Sequence, residues 1–245
     1  MVQLSSIETV RQFLIHDHNA FEHIASLFIA FTRNINIEFK PFGEMTKNAL
    51  KSITPNPNVV SGALNLLDHL TNSSAHVETA SIVPSLIYSL MQLSKFKVHL
   101  SEDEQMYKQM ALIRKQSLRC LWMFQSFGGI KMQELLVHKH EYFTVISNII
   151  GSGGGSCEQE RQVIQRAFNN IIDAIRRLRW GCILTTSALP GLHKESEEQL
   201  ESEGSFEEID SIGFHSIINE GADNITDNVR SVIMNSFKYK SRSKY

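Results

Sequence analysis

Between residues 158 and 180, Ile164, Phe168, Ile171, Ile175 and Leu178 fall three or four positions apart, while Arg161, Arg166, Asn169, Asp173, Arg176 and Arg177 lie largely off that line. This spacing matches one face of a helix and cannot be met by a strand, whose side chains alternate every second residue. The same rhythm recurs along the chain. Val10, Phe13, Leu14, Phe21, Ile24, Leu27, Phe28 and Phe31 mark it over 9–35, and a second helix is expected over 44–53. Val60, Ala63, Leu64, Leu67 and Leu70 mark it over 59–70, and Ile82, Leu86, Leu90 and Leu93 over 81–93. Met106, Met110, Ile113, Leu118, Leu121 and Trp122 continue it from Ser101 to Phe127. A short helix follows over 130–138, with Ile130, Leu135, Leu136 and Val137 as its apolar residues, and one more is expected over 217–237. Residues 141–150 fit either a helix face or a β-branched strand. Almost nothing else alternates with period two, so the predicted fold class is all-α.

Local signals divide these helices. Asp17-His-Asn19 reads as a break and a new N-cap. Thr54-Pro-Asn-Pro-Asn58 ends a helix, because proline lacks the backbone donor and forces its predecessor extended. Thr71-Asn-Ser-Ser74 reads as a turn, and Pro84 sits near a first turn, where proline is tolerated. Ser101-Glu-Asp-Glu104 has the form of a capping box. Gly128-Gly129 is expected to stop the long helix by the glycine C′ preference. Residues 195–210 carry eight acids (Glu195, Glu197, Glu198, Glu201, Glu203, Glu207, Glu208 and Asp210) and little core material, which reads as a disordered linker. The expected organisation is a helical domain over 1–192, an acidic flexible linker over 193–213, and a C-terminal helix with a basic tail over 214–245.

Paired helical segments begin at Ala25, Ser61, Ser117 and Ala167, in steps of 36, 56 and 50. Ser61-Gly-Ala-Leu-Asn-Leu-Leu-Asp-His-Leu70 precedes Ser81-Ile-Val-Pro-Ser-Leu-Ile-Tyr-Ser-Leu90, and Ser117-Leu-Arg-Cys-Leu-Trp-Met-Phe124 precedes Gly128-Gly-Ile-Lys-Met-Gln-Glu-Leu-Leu136. In these segments the chain resembles the armadillo/HEAT-like superfamily of helical repeats over residues 10–180. The resemblance implies an α-solenoid, a right-handed stack of helices whose groove binds peptides or partner domains, acting as a scaffold without catalysis. The steps scatter around the ~40–47-residue period of such repeats, so an irregular multi-helix bundle stays open. Asn65 and Asn169 are the only candidates for that family's asparagine ladder, and their registers differ. No polar capping helix is evident at either end, which implies a fragment of a longer solenoid or a member of a larger complex.

Several chemistries find no support. Gly151-Ser-Gly-Gly-Gly-Ser156 lacks the lysine and hydroxyl of a phosphate-cradling loop and the final glycine of a dinucleotide fingerprint, so it reads as a joint between helices. His16 and His18, like His138 and His140, are two apart and point to different sides of a helix. The three cysteines, Cys120, Cys157 and Cys182, form no CxxC pair. No nucleophile motif is present. No residue is therefore assigned a catalytic, cofactor-binding or metal-ligating role. No apolar run reaches the ~18 residues of a membrane span, and no secretory signal is legible, which leads to an expected intracellular location, cytoplasmic or nuclear. The net charge of −2 gives no global pull towards nucleic acid. The candidate partner-binding residues are Arg166, Asn169, Asp173, Arg176, Arg177, Arg179 and Trp180. The expected partners are other proteins or peptides, with nucleic acid as the alternative through the arginine face of 158–180. The acidic segment 195–210 is a candidate internal mask for this face, and Trp122-Met-Phe124 is expected in the core.

Overall fold

The computed structural model describes residues 8–38, 55–95, 104–151, 161–181 and 187–209. All regular structure among these residues is helical. The expectations for 44–53, Ser101-Glu-Asp103, 152–156, 217–237 and the basic tail lie outside the described residues. Two compact units are distinguished, Met1–Phe127 and Gly128–Tyr245.

In the first unit, α1 spans 8–17 and closes in a wide π turn, Phe13–Asp17. Asn19, in the left-handed region at φ 45°, separates it from α2 (Ala20–Glu38), at the expected break. The wide turn interrupts the three-and-four register. Ile15 is buried, whereas Val10 and Phe13, expected on the apolar face, are 58% and 51% exposed. Helix α3 (Pro57–Leu70) starts where Asn56 accepts from the Asn58 N–H at 2.8 Å, with Pro57 at N1. The helix expected over 81–93 is α5 (Pro84–Lys95), and a separate helix, α4 (Ser74–Ser81), precedes it. Pro84 can open a helix but cannot continue one, since its ring clashes with the preceding turn. The chain turns at Ile82, which is 76% exposed, and the expected turn after Leu70 is found and supplies an N-cap, Ser73.

Helix α6 (Glu104–Phe127) packs against both α3 and α5, and α5 packs against α2. Phe28 and Phe31, Leu64 and Leu67, Leu86 and Leu90, and Ile113 and Phe124 fill the space between these helices. Met106, expected in the core, is exposed, and Met123 and Phe124 are buried. Three side-chain contacts set the register of α3 on α6. Gln109 meets Asn58 at 3.4 Å, Gln116 donates to Asn65 at 2.8 Å, and Arg119 donates to Asp68 at 2.8 Å. Each pair is 51 residues apart. A constant difference, rather than a constant sum, means that α3 and α6 run parallel. Parallel neighbours cannot be joined by a short turn, and α4 and α5 lie on the connection.

The second unit opens with α7 (Ile130–Glu134), which continues into a π turn at Leu135–Lys139. The long helix before it ends at Phe127 without a left-handed glycine. Gly129 has φ −72° and is the N-cap of α7, so the predicted C′ role does not apply. Residues 141–150, open between helix and strand, form α8 (Tyr142–Ile150) after Glu141 in the left-handed region at φ 47°. Then come α9 (Arg161–Trp180) and α10 (Pro190–Ser202), with a further helical stretch at 205–209. The linker expectation therefore fails over 193–209. Leu192, Ser196 and Leu200 recur every fourth residue and are buried, as are Ser205 and Ile209, while Glu195, Glu198 and Glu201 face outward. A helix needs apolar or small residues only on one stripe, and a count of acids does not see that stripe.

Candidate partner-binding face

Helix α9 is held by Val163, Ala167, Phe168, Ile171, Ile175 and Leu178, all buried. Ile164, placed on the stripe by spacing, is half-buried. Helices α8 and α10 cover the apolar side, and the Leu189 N–H donates to the Leu178 carbonyl at 2.7 Å, tying the entry of α10 to the end of α9. At 3.6 residues per turn, Arg166, Asn169, Asp173, Arg176, Arg177 and Trp180 fall within an arc of about 100° and a length of about 21 Å. The sequence-predicted residues thus lie on one strip, apart from Arg179, which is about 60° to its side. Arg176 and Trp180 are exposed, and Arg166, Asn169, Asp173, Arg177 and Arg179 are half-buried.

Arg179 nonetheless joins the strip. Its guanidinium carbon stands 5.0 Å from the centre of the Trp180 ring, a cation–π contact that orients an indole left 59% exposed. Cations in this last turn also face the negative end of the helix dipole. The helix as a whole carries five arginines against one acid, Asp173. The surface therefore combines a preoriented aromatic ring with planar multi-donor cations, suited to carboxylates, phosphates and flat π-systems alike.

Behind the strip the unit is polar as well as apolar. The buried Tyr142 hydroxyl is pushed upward in pKa by desolvation, opposed by the neighbouring Asn170 side chain, with Asp173 adding to the rise. Ser205 Oγ donates to Ser147 Oγ at 2.6 Å in a buried contact. His138 Nε2 meets Glu195 Oε2 at 2.7 Å, so α10 is pinned to the turn that ends α7. The acids of α10 are accordingly part of the folded unit. The mask expected of them is over the arginine face of 158–180; the ion pairs they make are with His138 and, along α10 itself, with His193 and Lys194.

Two arrangements escaped the sequence reading. The parallel α3–α6 rungs join residues 51 apart, beyond any local pattern, although Asn58, Asn65 and Asp68 do repeat at seven and three. The second is a cluster around His76, formed by Glu8, Gln12 and Ser73, which unites two separate stretches of chain, 8–12 and 73–76. Its only legible sign is the Ser73-x-x-His76 spacing. Cys120 is fully buried, its thiol approaches the Leu64 carbonyl at 3.4 Å, and desolvation pushes its pKa far upward. Among the described residues, no group of three or more His, Cys, Asp or Glu is placed to hold a metal ion, and no helix is long and apolar enough to cross a membrane. No protein-family model matches the chain, and comparison with curated proteins and with solved structures also returns no match.

Proposed function

We propose that the chain is a non-catalytic scaffold of the armadillo-like helical-repeat type, which binds an acidic stretch of a partner protein on the α9 strip. The parallel stacking of α3 and α6 supports the repeat reading, because successive units of a helical stack place like helices side by side in one direction. The observation that carries the binding reading is Trp180, more than half exposed, oriented by Arg179 and followed back along the strip by Arg177 and Arg176. Tryptophan and arginine dominate the energetic centres of protein interfaces. The excess of arginine over acid selects a carboxylate-rich partner.

The test is cross-linked capture from nuclease-treated cell extract, comparing the native chain with Trp180→Ala and Arg176→Glu/Arg177→Glu, and with Lys108→Glu on α6 as a control. A defined acidic partner should be retained by the control and lost with both strip variants. Capture that is identical across all four proteins overturns the assignment.

A second reading is nucleic-acid binding through the same strip, favoured by the exposed indole beside cations, which can stack on a base. Binding of RNA or DNA that falls steeply with salt, and is abolished by the double arginine variant, would select it. No nucleic-acid binding at low salt ends it.

A further inference from the structure

Helix α1 is attached to its unit in an unusual way. Ile15 is its one buried side chain among residues 8–17. Leu14 is half-buried, and polar contacts complete the attachment. Arg11 Nε donates to the His69 carbonyl at 3.1 Å, and the other contacts converge on His76, the third residue of α4 and only 4% exposed. Gln12 Nε2 stands 3.0 Å from His76 Nε2, and Ser73 Oγ stands 2.9 Å from His76 Nδ1.

With the Gln12 amide also donating to Glu8 Oε1 at 3.0 Å, one proton arrangement fits these distances best. An amide N–H can only donate, so His76 Nε2 accepts from Gln12, and Nδ1–H donates to Ser73 Oγ. The neutral ring is therefore satisfied at both nitrogens. Protonation puts a hydrogen on Nε2, where it faces the Gln12 amide hydrogens, and the contact that docks α1 turns from attraction to repulsion. Glu8 Oε1, 3.3 Å from Nε2, is the alternative acceptor. It is half exposed and already engaged by Arg11 and Gln12. The charged groups acting on His76 are Glu8, Arg11 and His16, all from α1, and two of the three are cationic or become so in acid.

We infer that α1 is an acid-released arm: protonation of His76 undocks residues 8–17 about the Asp17–Asn19 break while α2, α3, α5 and α6 stay packed. The break supplies the pivot, since the π turn and the left-handed Asn19 separate α1 from the helix that follows. The sparse apolar seat makes the arm a low-stability element. Burial, the largest influence on His76, holds its pKa below the usual imidazole value and outweighs the carboxylate of Glu8. A group depressed in the folded state stabilises docking above its free value of about 6.5, and that contribution is lost as pH falls through the lowered value.

Amide hydrogen exchange of the full chain, corrected for the intrinsic effect of pH on exchange, tests this. Between about pH 7.5 and about pH 5, residues 8–17 should lose protection by about tenfold or more while α3, α5 and α6 keep theirs. His76→Gln should abolish the pH response. Gln12→Ala should loosen the arm already at the higher pH and shrink the response, which keeps the test open if the histidine variant fails to fold. Protection of 8–17 that does not change with pH overturns the inference. So does simultaneous loss in α5 and α6, or a response that survives in His76→Gln.

Discussion

Replacing Trp180 by alanine separates surface from scaffold at a single residue. Its ring is more than half exposed and stands beside a neighbouring guanidinium, so denaturant stability should change by no more than about 0.5 kcal/mol. Partner affinity measured by titration should fall by about 2 kcal/mol, roughly thirtyfold, if the indole anchors the contact. Cys120 presents the opposite case. Its thiol is enclosed by α3 and α6, and desolvation keeps it protonated. Since only thiolate reacts, alkylation followed by mass spectrometry should leave Cys120 unmodified in the native protein and modify it once denaturant opens the first unit. Rapid native labelling would contradict the packing of α3 on α6.

Helix α10 carries the sharpest contrast between composition and position. Leu200→Ala should cost about 2–5 kcal/mol in denaturant unfolding, because it empties a fully buried site. Glu198→Gln, on the exposed side, should stay within about 0.5 kcal/mol. A solvated linker would be indifferent to both. The same contrast explains what was legible beforehand. The long helices α2, α3, α6 and α9 announce themselves because many apolar residues repeat on one face. The candidate strip on α9 was readable for the same reason, being the complement of its stripe. Helix α10 was missed because four buried positions, two of them the polar Ser196 and Glu197, suffice to hold it. Helix α4 was missed because only His76, Val77 and Ala80 are buried in it, too few to leave a pattern. The boundary at Pro84 followed from ring sterics that a periodicity search overlooks. The cluster at His76 depends on tertiary contact between α1 and α4, and no local window contains it.

At the scale of the whole molecule, the division into Met1–Phe127 and Gly128–Tyr245 predicts separable responses. Leu64→Ala, which opens a cavity between α3 and α6, should raise amide exchange in α2, α3, α5 and α6 and leave α8 and α9 unchanged, as read by exchange mass spectrometry. Equal loosening throughout would argue for one cooperative block. Within the first unit, the shared 51-residue offset has a further consequence. The rungs at Asn58, Asn65 and Asp68 meet their mates only because both helices advance in step. Adding one residue between Gln109 and Gln116 would swing Gln116 and Arg119 about 100° away from their mates. Adding several residues between α5 and α6 would leave every rung facing its mate. Evolutionary change in length should therefore accumulate in the joining stretch and be excluded from the paired helices, and an exchange of side chain on one helix should be answered on the other.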